Sequence, residues 1–166
     1  MRRALAAALL LFLAAAALAA EPEERRSGPS GLPIPRFVSL AADKVNLRSG
    51  PGVRYPVAWV FEKRSLPVLV TAEFDYWRKV RDQDGAEGWV HKSLLSGRRY
   101  GQIVGQERAL RREPRSDSPV VLRAEPGVLG RLLACQEAWC RLEIAEIEGW
   151  LPRQQIFGVL PSERFE

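Results

Sequence analysis

The chain echoes itself at long range. Leu47-Arg48 returns as Leu110-Arg111 after 63 residues, and Pro56-Val57 returns as Pro119-Val120 at the same interval. Trp77 returns as Trp139 after 62 residues and Gly88-Trp89 as Gly149-Trp150 after 61. Four anchors in one order, drifting by only two residues, mark an internal repeat, and each repeat must be one small folded unit. The units run from 37–100 and from 101–161. Each reads as β. Leu66 to Val70 and Tyr76 to Val80 are rich in β-branched and aromatic residues, and Asp82-Gln83-Asp84-Gly85 is a turn signal between Val80 and Trp89. Ser49-Gly50-Pro51-Gly52 interrupts any regular element early in the first unit. Short strands at close spacing predict an all-β chain of two tandem small barrels, because closure protects strand edges.

What precedes the repeat has a different character. Residues 1–20 carry Arg2 and Arg3 and are otherwise apolar, ending in the small-x-small run Ala17-Leu18-Ala19. This is the pattern of a secretory signal peptide, with cleavage after Ala19 or Ala20. The expected localisation is therefore export, to the periplasm or the extracellular space, where disulfides persist. No other apolar run approaches the roughly 20 residues of a spanning helix, so no membrane insertion is expected after cleavage. Residues 21–36 hold four Pro, two Gly and clustered charges, and are expected to form a flexible linker.

Charge is uneven. The formal net charge is +5, with 11 basic against 7 acidic residues in 37–100 and 9 against 10 in 101–166. A mildly basic first unit suits an anionic wall polymer or lipid headgroups. It falls short of what sequence-independent nucleic-acid binding requires, and no nucleic-acid partner is expected.

At this point the residues resemble a family. Val45-Asn46-Leu47-Arg48-Ser49-Gly50-Pro51-Gly52, Tyr55-Pro56-Val57, Tyr76-Trp77 and Glu87-Gly88-Trp89-Val90 follow, in order, the pattern of a bacterial SH3 (SH3b) domain. The second unit resembles a divergent copy, keeping Leu110-Arg111, Pro119-Val120, Trp139 and Glu148-Gly149-Trp150-Leu151 but lacking the Asn, the Ser-Gly-Pro and the Tyr. The resemblance implies a barrel of five to six strands and binding of a cell-wall peptide or of an envelope protein.

Only two cysteines occur, Cys135 and Cys140. Their C-x4-C spacing is not that of thiol oxidoreductases or zinc ribbons. In the repeat register they fall on Glu73 and Arg78. The two pairs are therefore expected to face each other across equivalent hairpins, one as a disulfide and the other as a surface ion pair. A six-residue disulfide ring contributes about 2 kcal/mol in the chain-entropy model. A nucleophilic cysteine needs a nearby base, but the one histidine, His91, lies in the other unit. No metal site or cofactor is expected, since two Cys and one His in separate units are too few ligands.

The candidate ligand-binding residues are Arg48, Ser49, Tyr55, Asp75, Tyr76 and Trp77, all in loops or hairpin ends of the first unit. His91 is expected to face solvent. The recurring Trp77/Trp139 and Trp89/Trp150 are expected to pack inside the units, with an exposed aromatic shelf as the alternative. No catalytic residues are assigned, because Asp82, Asp84, Glu143, Glu146 and Glu148 sit in turn-like or alternating surface sequence rather than flanking a cleft. The leading expectation is a non-catalytic cell-envelope module that recognises peptidoglycan or its peptide stems. A periplasmic protein–protein adaptor comes second, and a wall hydrolase a distant third.

Overall fold

A computed structural model describes residues 26–166; the expected signal peptide and residues 21–25 lie outside the described residues. Two seven-stranded antiparallel sheets account for the two units. The first uses β3 (Arg36–Leu40), β4 (Val45–Arg48), β5 (Val57–Phe61), β6 (Pro67–Phe74), β7 (Trp77–Arg81), β8 (Glu87–His91) and β9 (Leu95–Ser96), in the order β5-β4-β8-β7-β6-β3-β9. The second uses β10 (Tyr100–Ile103), β11 (Arg108–Arg111), β12 (Val120–Ala124), β13 (Leu129–Cys135), β14 (Trp139–Ile144), β15 (Ile147–Pro152) and β16 (Ile156–Phe157), in the matching order β12-β11-β15-β14-β13-β10-β16. The count of seven exceeds the five or six implied by resemblance, because each sheet ends on a two-residue strand, β9 or β16.

Each sheet curls about its own core. Leu40, Val45, Leu47, Phe61, Val68, Val70, Val80 and Val90 form one cluster, and Ile103, Leu110, Leu132, Leu142, Leu151 and Ile156 belong to the other. Period-two alternation supplies these residues: Val45 and Leu47 point inward from β4, while Asn46 between them is exposed. The repeated Gly-Trp now has a physical reason. Gly88 faces inward where β4 crosses β8, and a Cβ there would lie 2.6 Å from Leu47 Cγ and 2.7 Å from the Arg48 carbonyl oxygen. At Gly149 a Cβ would lie 2.7 Å from Leu110 Cβ and 2.9 Å from Val121 Cγ2. Only a residue without a side chain allows the crossing.

The hairpin pairs align as the register required. Glu73 pairs with Arg78 and Cys135 with Cys140, and the cysteines form a disulfide with Cα atoms 4.1 Å apart. The ion pair is not on the surface, however. The Glu73 side chain is enclosed under a thin layer of protein; its carboxylate meets Arg78 Nε at 3.0 Å and Arg36 Nη2 at 2.6 Å. Its cover comes from the segment expected to be a flexible linker. From Arg26 onward that segment is ordered: β1 (Arg26–Ser27) pairs with β2 (Pro33–Ile34), and Ser30 in the connecting turn donates its backbone N–H and its hydroxyl to Glu73 at 2.9 and 2.8 Å. The linker expectation failed because its Ser-Gly turn supplies donors that composition alone does not reveal. Burial by itself would raise the Glu73 pKa. The Ser30 N–H, Arg36 and the Ser30 hydroxyl outweigh that and hold it below the usual carboxylate value.

The C-terminal segment is fastened in a parallel way. Phe165 exchanges backbone hydrogen bonds with Cys135 at 2.8 and 3.2 Å. Buried Arg153 donates to the carbonyls of Gln136, Glu137, Leu160 and Glu163. Arg99 forms an ion pair with Glu163 and lies over the Phe165 ring. The two units touch through Phe37 and Phe157, whose rings meet edge-on at 5.0 Å, and through Lys63, which donates to the Gly127 carbonyl.

Two outcomes follow for stability. Gly88→Ala should destabilise the first unit by about 2 kcal/mol through overpacking, read by denaturant unfolding. Because the folded pKa of Glu73 is depressed, its stabilisation is present above the ordinary carboxylate range and is lost as pH falls through the folded value. Glu73→Gln should therefore weaken the first unit on the order of 3 kcal/mol at neutral pH, with the difference from the parent protein shrinking on acidification; hydrogen exchange across β6 and β7 measures both.

Candidate functional site

The strands β4, β8 and β7 lie side by side. Leu47, Val90 and Val80 face the core, so their neighbours in sequence face outward. Arg48 pairs with Trp89, Trp89 with Lys79, and His91 with Trp77. The outer face thus carries Arg48, Trp89 and Lys79 in one row and His91 with Trp77 in the next. None of the five tryptophans belongs to either core cluster; the four recurring ones lie partly covered outside the cores, so the expected packing inside the units is not what the structure shows. An inward-facing Trp would have to replace a valine or leucine in a core too small to hold it. Trp77 and Trp89 are half-buried, and Trp59 on β5 is 57% exposed.

Tyr76, Trp77 and His91 form the densest part of this face. The Tyr76 ring, 52% exposed, stacks with His91 at 6.1 Å, and Trp77 meets His91 edge-on at 5.4 Å. Lys92 Nζ stands 4.7 Å above the Tyr76 ring. His91 does not simply face solvent; it is half-buried, with both rings in contact with it. Its Nδ1 lies 2.7 Å from Ser93 Oγ and accepts the Ser93 N–H at 3.3 Å, which caps a short 3-10 turn over Lys92–Leu94 and fixes the ring. This His–Ser contact is a local cap, not an activated nucleophile. Among the described residues no group of three His, Cys, Asp or Glu side chains could hold a metal ion. Aromatic faces ringed by cations bind sugar rings, peptide planes and carboxylates.

The remaining sequence candidates have local duties. Arg48 Nη1 donates to the Val53 and Tyr55 carbonyls at 3.1 and 2.7 Å, holding the 49–56 loop closed. Arg111 repeats this in the second unit, donating to the Ser118 carbonyl at 2.7 Å. The Tyr55 ring lies against Gly50, where a Cβ would be 2.4 Å away, and Arg54 packs over it at 5.3 Å. Ser49 is exposed, and its backbone N–H bonds to the Pro56 carbonyl. Asp75 turns the β6–β7 hairpin at φ 49°, and its carbonyl accepts from Arg78. The structure therefore brings Tyr76 and Trp77 together, seats Arg48, Ser49 and Tyr55 in a separate loop, and leaves Asp75 at the hairpin end. Four participants were not among the sequence candidates: Trp89, His91, Lys79 and Lys92. For Trp89 and His91 the signal was the alternation Trp89-Val90-His91, which puts both on one face.

The second unit lacks much of this face. Trp150 keeps its cation, Arg141 at 5.9 Å, but Trp139 pairs with Pro152 in place of a histidine, and Ala138 stands in place of Tyr76. Arg48→Ala should unclasp the 49–56 loop at a cost of about 1–2 kcal/mol, since two carbonyls lose their donor; thermal unfolding together with proteolytic nicking in the loop would register it.

The sequence matches the bacterial SH3 domain family over residues 41–97 and again over 104–158. A comparison with curated proteins returns no match. Two solved structures share features at low similarity: NlpC2 and NlpC1 from Trichomonas vaginalis, 12% and 14% identical, each matched over 74% of this chain and over 48% and 45% of their own, with TM-scores of 0.34. This chain spans about half of their length, and at that score they say nothing about its role. With both repeats matched in register and each folded as its own antiparallel sheet, the chain belongs to the bacterial SH3 domain family, as a tandem pair.

Proposed function

We propose that this protein is a non-catalytic cell-wall-binding module of the bacterial envelope, and that the outer face of its first unit recognises peptidoglycan through the peptide stems. The observation that carries this reading is the Tyr76–His91–Trp77 stack, with Lys92 above it and Trp89 and Lys79 beside it. Such a face offers flat apolar surface for peptide planes and small side chains, and positive charge for stem carboxylates. The second unit, with Pro152 and Ala138 at the matching positions, acts mainly as support. Export fits the disulfide, and among the described residues no helix is long and apolar enough to cross a membrane.

Co-sedimentation of residues 21–166 with purified peptidoglycan, at low and moderate salt, tests the reading. Saturable binding that survives moderate salt is expected, with Tyr76→Ala weakening it by about tenfold and Trp139→Ala changing it little. Binding abolished by salt would reduce the effect to charge attraction. Absence of binding at both salt levels would refute the wall reading and favour an envelope-protein adaptor.

A further inference from the structure

The repeat makes the two units comparable position by position, and the comparison exposes a difference unrelated to the Trp77–His91 face. Arg36 corresponds to Arg99, since Arg36 pairs with Val70 just as the Arg99 carbonyl accepts from Leu132, 62 residues after Val70. Lys92 corresponds to Arg153: the Lys92 N–H bonds to the Tyr76 carbonyl and the Arg153 N–H to the Ala138 carbonyl, both at 2.8 Å. In the second unit, the space between Arg99 and Arg153 is filled by the chain's own tail. Glu163 engages Arg99, the Leu160 and Glu163 carbonyls engage Arg153 at 2.6 and 2.7 Å, and Phe165 adds a strand-like bridge to Cys135 while packing beneath Arg99.

In the first unit the chain cannot do this. After Gly97 it must leave to begin β10; the N-terminal hairpin covers Glu73, but the space between Arg36, Lys92 and Leu95 stays open as a groove of about 380 Å³. Leu32, Phe37 and Leu95 supply apolar walls, and Arg36, Lys92 and Arg99 line it with positive charge. No carboxylate contributes to the lining. Arg36 and Arg78 share the single carboxylate of Glu73 behind the wall, Arg99 is held by Glu163 from the other unit, and Lys92 has no carboxylate within ion-pair distance among the described residues. The groove is therefore net positive and apolar-floored.

We propose that this groove is a second binding site, which takes an extended acidic peptide segment of a protein partner, carrying a carboxylate next to a large apolar side chain in the manner of Glu163-Arg164-Phe165. The tail seated in the second unit is the chain's own example of that ligand, and the complementary charge of the vacant groove favours the same chemistry. The carboxylate faces Lys92 and Arg36, and the apolar side chain lies against Leu32 and Phe37. The groove shares Lys92 with the proposed wall-binding face but not Leu32 or Phe37, so Leu32→Glu separates the two readings and either can fail without the other.

The test uses residues 21–166 uniformly labelled for amide NMR and a synthetic peptide with the sequence of residues 160–166. The expected result is saturable shifts confined to the amides of residues 36–38 and 95–97, with binding weakened about tenfold by Lys92→Glu, by Leu32→Glu, and by replacing both peptide glutamates with glutamine. Leu32 is 51% exposed, so Leu32→Glu tests the groove without disturbing the core. The proposal is overturned if no saturable shifts appear, if they centre on Cys135 or on Trp89, if neither protein variant weakens binding, or if wall stem peptides shift these amides while the acidic peptide does not.

Discussion

Everything in each unit depends on one close crossing. A sheet of short strands can enclose a core only if it curls until strands far apart in sequence lie side by side, and β4 must then pair with both β5 and β8. That double pairing brings the β8 backbone within a side chain's width of Leu47 and Arg48, and in the second unit brings β15 against Leu110 and Val121. A glycine at Gly88 and Gly149 is the condition for it. The adjacent tryptophans are a consequence: with the inner position reduced to a hydrogen atom, the next residue points outward and covers the seam with a large ring.

The two hairpins show one geometric problem answered by two chemistries. Where β6 meets β7, Glu73 is held by two guanidiniums and a serine turn; where β13 meets β14, a covalent bond does the same work. The ionic version depends on the N-terminal hairpin to shield and donate to the carboxylate. The covalent version needs no such partner, which leaves Cys135 free to pair through its backbone with Phe165. Each hairpin thereby recruits a different chain terminus.

Much of the fold was legible because it is written in alternation and recurrence. The repeat register alone places Cys135 opposite Cys140 and Glu73 opposite Arg78, and Asp82–Gly85 forms the turn its composition announces: the Asp82 carboxylate accepts the Ala86 N–H. What escaped was long-range or side-specific. Nothing local in Ser27 to Arg36 indicates that Ser30 reaches Glu73, 43 residues away. The recurrence of tryptophan says that a position is constrained but not which face it occupies, so packing and display could be separated only once the partners of Trp77 and Trp89 were known. At the candidate site, Tyr76 and Trp77 were visible from sequence as hairpin aromatics, whereas Arg48 has the same chemical type as a ligand contact and is spent on its own loop.

The tail that folds back over the second unit also bears on arrays of such units. Where the exit strand runs directly into another unit, as after Gly97, the chain does not return over the module it leaves. In any head-to-tail series of these repeats, only the last copy can be sealed by its own continuation, and each earlier copy must hand its exit strand to the next. A third copy appended after Gly158 would draw the tail away from Arg153 and Cys135 and open the second groove as the first is open now. Lengthening such an array would thus add one unsealed groove per copy, so its valency would rise without any change in the sequence of the modules themselves.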